Sequence, residues 1–135
     1  MITIDGSFGE GGGQILRTSL SLAAVTGKPV QLENIRANRE KPGLMRQHLA
    51  CAKSVAEICR GELEGAELNS RALTLKPGRI HGGDYRFVIG SAGNTLLLAQ
   101  AVLPVLLFAD RPSRVVLEGG TYTMQAPVFD FFERV

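Results

Sequence analysis

Chemistry on an anion is suggested first by the stretch from Asp5 to Arg17, which reads Asp-Gly-Ser-Phe-Gly-Glu-Gly-Gly-Gly-Gln-Ile-Leu-Arg. Five of its residues are glycine, and the carboxylate of Glu10 sits among them. Glycines let a backbone take positive φ and approach a ligand closely, and a helix that follows offers unpaired N–H groups and a positive dipole end. A phosphate is the natural guest of such a turn. Glu10 argues against a bare phosphate and suggests a bridging metal ion or a base. Arg17 falls one helical turn beyond the glycines, where it either reaches a held anion or stands as a solvated surface arginine. The stretch is not a Walker A loop, because no Gly-Lys-Ser/Thr follows at the right spacing. It is not the dinucleotide fingerprint either, because Gln14 stands where the third glycine belongs. Spacing alone leaves open a ligand-binding loop and a merely tight structural turn.

A second group gathers further on. Arg36, Arg39, Lys41 and Arg46 fall within eleven positions, opposed only by Glu40. Gln47 and His48 follow directly. His48 lies on an apolar stripe with Leu44, Cys51, Val55 and Ile58, where a lone histidine is usually a satisfied core or interface residue. Beside the upstream arginines, it also belongs to a polar mouth at one helix start. His81, between Gly78 and Gly82-Gly83, reads as an exposed loop residue.

The elements that would position these groups follow from periodicity. Residues 2–5 read as a strand and 13–26 as a helix closed by Gly27 and Pro29, with Ile15, Leu16, Leu20, Ala23 and Ala24 on its apolar side. Gln14, Arg17, Thr18 and Ser21 share the other face. Val30 to Ile35 reads as a second strand, and Pro42-Gly43 opens a long helix running to Cys59. Residues 72–76 and 84–90 alternate apolar and polar, which predicts an antiparallel pair. A helix over Thr95 to Ala109 and a strand over Arg114 to Leu117 complete the chain's middle. Gln100 is the polar exception on that apolar helix. Burying an unpaired amide costs about 1–3 kcal/mol, so a backbone, water or ligand partner is expected.

Composition sets the class. The 135 residues are 44% hydrophobic and 21% charged, a globular balance able to bury a real core, and the net charge of +2 is too small to establish a nucleic-acid partner. No basic-then-apolar leader opens the chain, and the most apolar run is too short for a bilayer and holds Gln100 and Pro104. Cys51 and Cys59 are separated by roughly 12 Å of helix rise, too far for a disulfide, and read as buried thiols of a reducing cytoplasm.

The chain also repeats itself. Gly90 follows Gly6 by 84 residues, Pro112 follows Pro29 by 83 and Pro127 follows Pro42 by 85, so the spacing indicates an internal repeat. Each unit is strand–helix–strand–helix followed by a strand pair. The expected fold class is α+β, with one complete βαβαββ unit over residues 1–86 and most of a second over 87–135. The second copy stops about two turns into its last helix with Val128, Phe129, Phe131 and Phe132 newly placed for burial. That predicts a piece of a longer protein, with exposed apolar surface and a tendency to homo-oligomerise there.

These residues together resemble the RNA 3'-terminal phosphate cyclase family. The matching segments are Asp5-Gly6, Gly9 to Arg17, Ile35 to Arg39, Lys41 to Leu44, Gln47 to Leu49 and Ile89 to Gly93. Leu103-Pro104, Phe108-Ala109, Pro112-Ser113, Gly119 to Thr121 and Ala126-Pro127 complete them, so the likeness spans nearly the whole chain. The resemblance implies repeated βαβαββ units about a pseudo-threefold axis, shared with the enolpyruvyl transferase-like architecture, and an inserted domain beyond Val135. It implies ATP- and Mg2+- (or Mn2+-) dependent conversion of an RNA 3'-phosphate end to a 2',3'-cyclic phosphodiester, through enzyme–AMP and RNA–adenylate intermediates. By the same likeness Glu10 would hold the metal. Arg17, Arg36 and Arg39 would grip phosphates, Gln47 and His48 would line the pocket, Gln100 would contact nucleotide, and Pro127 would wall the adenine. No segment matches the motif of the AMP-accepting histidine, which is expected beyond Val135, so residues 1–135 alone are expected to be inactive. Two alternatives stand beside the enzyme: a non-catalytic cyclase-like protein of ribosome assembly, and an enolpyruvyl transferase-class enzyme.

Overall fold

The period-2 patterns of Val30-Gln31-Leu32-Glu33 and Leu73-Thr74-Leu75-Lys76 put apolar side chains on one face of a sheet and polar ones on the other. In the computed structural model, which describes residues 1–120, these segments are β2 (Val30–Glu33) and β4 (Leu73–Lys76). They pair antiparallel with Val30 opposite Leu75 and Leu32 opposite Leu73, all four buried. β1 (Ile2–Asp5) runs parallel to β2, and a three-residue strand β3 (Glu62–Glu64) pairs antiparallel with β4. The order is β1-β2-β4-β3.

Two helices cover the apolar face. α1 (Gly13–Thr26) buries Leu16, Leu20, Ala23 and Ala24, and ends on Gly27, whose left-handed backbone returns its N–H to Ala23 O. α2 (Arg46–Cys59) buries Cys51, Val55, Ile58 and Cys59. A third helix, α3 (Thr95–Leu106), is apolar almost all round and packs on both α1 and α2, as such a helix must to be stable in water. Asn94 caps it, its side chain accepting N–H bonds from Leu96 and Leu97 at 2.8 and 3.1 Å. β5 (Asp84–Asn94) and β6 (Arg114–Gly120) flank α3 as a separate parallel pair.

The mixed α and β content and the order β1-α1-β2-α2-β3-β4 give one βαβαββ unit, and β5-α3-β6 begins a second with the same parallel crossover. The expected antiparallel pairing of residues 72–76 with 84–90 does not form. β4 pairs with β2 and β3, whereas β5 opens the next unit and crosses residue 86. The short charged β3 escaped notice because Glu62-Leu63-Glu64 carries a single apolar residue. α2 also starts later than Pro42, because Gly43 has φ +83 and Met45 is extended. Unlike β1, which leads into a glycine loop, β5 bulges at Gly90 and runs straight into α3. Pro127 and the 126–135 helix lie outside the described residues.

Candidate functional site: an arginine-lined glycine cradle

β1 and β2 are parallel, so the loops at their carboxyl ends, residues 6–12 and 34–45, emerge on the same side, where open α/β sheets usually receive ligands. Asp5 ties the two together. Its Oδ1 accepts the Ser7 N–H at 3.0 Å, the Ser7 hydroxyl at 2.7 Å and the Asn34 side-chain amide at 3.3 Å. These bonds, the Ser7 hydroxyl's foremost, hold its carboxyl below the usual range.

Between the loops lies a polar cavity of about 240 Å³, lined by Glu10, Arg17, Arg36, Arg39, Gln47 and His48, with Gly12, Gly13, Gln14 and Leu97. Six of the eight expected site residues therefore meet in one place. Gln100 does not line this cavity. It is exposed on α3, so the expectation that its amide is buried and needs a partner is corrected: the strip of that helix that reaches solvent holds Gln100 with Leu103 and Pro104. Pro127 lies outside the described residues.

The floor of the cavity is backbone. α1 begins at Gly13 with no side-chain cap on its free N–H groups. A Cβ on Gly12 would sit 2.6 Å from Arg39 Nη2, and one on Gly13 would sit 2.7 Å from His48 Nε2 and 2.8 Å from Arg17 Nη1. At Gly13 only glycine leaves room for the buried His48 ring, whereas at Gly12 a side chain would have to push the Arg39 guanidinium aside. Uncapped N–H groups, a positive dipole end and converging cations make an anion site.

Arg17 was placed by its periodicity on a polar face, with a solvated surface arginine as one reading. The structure excludes that reading. Arg17 is 8% exposed because α3 covers this side of α1, where the Ser21 hydroxyl also donates to Ala101 O at 2.6 Å. Its Nη2 makes one long bond to Gln14 Oε1 at 3.4 Å, and its Nε has no hydrogen-bond partner among the described residues. Burial pushes its pKa below the usual arginine value, countered by Cys51 and Glu10.

Arg36 has φ +50 and spends Nη1 on Lys41 O (2.6 Å) and Gly43 O (2.8 Å), stapling its own loop in a form that delays α2. Burial, then Arg39, lowers its pKa. Arg39 pairs with Glu10 at 2.7 Å, the carboxylate 77% exposed at the cavity mouth. His48 is 2% exposed, and its Nδ1 accepts the Met45 N–H at 3.0 Å. Burial, with Arg36 and Arg17 adding to it, holds its pKa down to about 4. It is therefore a neutral imidazole whose proton is on Nε2, the atom facing Gly13. His48 is a core residue and a cavity residue at once.

A metal centre made by protein alone does not form: among the described residues no three His, Cys, Asp or Glu side chains gather for it. Sequence reasoning singled out the glycine loop but not Gly12 and Gly13 as its floor, and Leu97 carried no signal within its apolar run. Cys51 and Cys59 are free, buried thiols, Cys51 pushed by burial up to about 11. Among the described residues no helix is long and apolar enough to cross a membrane. A family model described as RNA 3'-terminal phosphate cyclase matches residues 8–135, a span that includes every residue of the cavity.

Proposed function

This chain belongs to the RNA 3'-terminal phosphate cyclase family, and from that membership we propose that its glycine cradle grips the phosphates of ATP and of an RNA 3'-phosphate end. The reaction it serves is ATP-dependent closure of that end to a 2',3'-cyclic phosphodiester. One observation carries the reading: Arg17 is a buried guanidinium whose Nε has no hydrogen-bond partner among the described residues, and its Nη1 lies beside Gly13, at the start of a helix with no side-chain cap. A buried charge without a counterion is strongly unfavourable, and a phosphate oxygen supplies the missing acceptor.

The other side chains divide the work. Arg36 and Arg39 add charge from the second loop, and their planar forks suit phosphate oxygens. Glu10 would hold Mg2+ or Mn2+ against those oxygens, and the cation would neutralise phosphate charge. His48 donates from Nε2 and, being neutral, adds no charge. Gln47 extends the polar wall. Gln100 and Pro127 are proposed nucleotide contacts on the family likeness alone.

Neither described histidine is placed as the AMP acceptor. The Nδ1 of His48 is occupied by Met45, and the proton sits on its other nitrogen. His81 lies at the far end of α2, its N–H on Ile58 O, so roughly a 20 Å helix length separates it from the cradle. The AMP-accepting histidine is proposed to lie outside residues 1–135, and the thiols to remain reduced in the cytoplasm. Intact mass after incubation with ATP and Mg2+ tests this: no AMP adduct is expected on this chain, and an adduct mapped to His48 or His81 would overturn the assignment.

A further inference from the structure

Beside the cradle runs a second cavity, of about 360 Å³ and mainly apolar, that the phosphate chemistry does not use. Its buried wall is Leu44 and Ile89, and its rim is Met45 and Leu68, 37% and 51% exposed. The rim is fixed rather than loose. The Asn69 N–H donates to Leu44 O at 2.7 Å, and the Leu44 N–H donates to Ser70 O at 2.9 Å. The third side is β5 where it bulges at Gly90, a feature enriched beside binding sites. Its volume falls in the range of small-molecule pockets.

Gln47 lines both cavities, and its amide has no hydrogen-bond partner among the described residues. A ligand with a phosphate in the cradle therefore meets the slot next. We propose that this slot binds the base of the RNA's 3'-terminal nucleotide, with its 3'-phosphate in the cradle; the inference rests on the anion reading above. The lining, mainly apolar walls with the amides of Gln47 and Asn69 and the Arg46 cation, suits a base joined to a phosphate. Each amide both donates and accepts, so any base edge is met, and recognition is tolerant of sequence. Arg46, an exposed residue of the lining, would meet the preceding phosphate of the strand.

The test titrates the 135-residue chain with inorganic phosphate, uridine 3'-phosphate and ATP, following affinity and the methyl resonances of Leu68 and Ile89. Uridine 3'-phosphate is expected to shift both methyls and to bind at least about fivefold tighter than phosphate, as burial of one apolar face allows. Leu68→Gln, at an exposed rim position, is expected to erase that advantage while leaving inorganic phosphate binding unchanged. Phosphate binding with no gain from the nucleoside, or no methyl shifts, overturns the inference and leaves the anion reading standing. Methyl shifts with ATP alone give the slot to the cosubstrate and overturn the RNA assignment. Absence of phosphate binding overturns the anion reading and this inference with it.

Discussion

Among the described residues no carboxylate forms an ion pair with the desolvated Arg17 guanidinium, and that burial weakens the fold. Replacing an unpaired buried charge by an apolar side chain of similar length is expected to raise stability by about 1–3 kcal/mol, so Arg17→Met should melt several degrees higher than wild type. A lower melting temperature for Arg17→Met would show that the guanidinium is satisfied within the fold. His48 makes a prediction of opposite kind. Its folded pKa of about 4 lies below the unfolded value near 6.5, so the unfolded state binds the extra proton first as pH falls. The stability this contributes is complete above pH 6.5 and disappears on acidification toward pH 4, to a total of about 3 kcal/mol. Urea melts from pH 7 to 4.5 should show this slope, and His48→Asn, whose amide oxygen can accept the Met45 N–H, should flatten it. Glu10 is too exposed for its pair with Arg39 to stabilise much. Glu10→Gln should leave the melt unchanged and abolish any Mg2+ enhancement of ATP binding, which calorimetry with and without Mg2+ would reveal.

The loop from Arg36 to Met45 is the element on which the site's geometry turns. Gly43 has φ +83, its N–H donates to Ile35 O, its carbonyl accepts from Arg36, and a Cβ there would stand 2.3 Å from Asn69 O. Gly43→Ala should therefore cost at least about 2 kcal/mol in denaturant melts and weaken anion binding by displacing Arg36. Gly27→Ala, left-handed but with open space around it, should cost about 1–2 kcal/mol and spare binding. These two positions also show what the sequence could and could not reveal. The limits of α1 were legible because a glycine turn precedes it and Gly27-Lys28-Pro29 ends it, both local signals. The start of α2 was not, because bonds from Ile35, Arg36, Asn69 and Ser70 hold residues 41–44 out of the helix past an apparent Pro-Gly start. Glu10, Arg17, Arg36, Arg39, Gln47 and His48 were legible as a set through the family likeness. The burial of Arg17 was hidden, since it depends on α3 docking across α1 from residues eighty positions away. Gln100 was misread for the converse reason: apolar neighbours in sequence do not show which strip of a helix faces water.

Over the whole molecule, the four-stranded sheet and its helices form the stable frame, and the β5–β6 pair leans on it through α3 and α2. Among the described residues this sheet has two strands, marginal alone in water, and Val88 and Val116 on it are 63% and 45% exposed. Native-state hydrogen exchange should find the amides of β2 and β4 most protected and those of β5 and β6 opening first. Equal protection across both sheets would show that β5–β6 is not the weaker unit. The slot beside the cradle borders β5, so its occupation should slow exchange there, whereas inorganic phosphate should protect the start of α1. The central claim is that the cradle at Gly12 and Gly13 is an anion site energised by Arg17. Calorimetric titration with ATP and with inorganic phosphate, wild type beside Arg17→Met, tests it most directly. One saturable site is expected for each ligand on the wild type, with affinity falling about ten- to a hundredfold in the variant, the worth of a lost charge-assisted hydrogen bond. Undiminished affinity in Arg17→Met, or no binding to the wild type, would contradict the account.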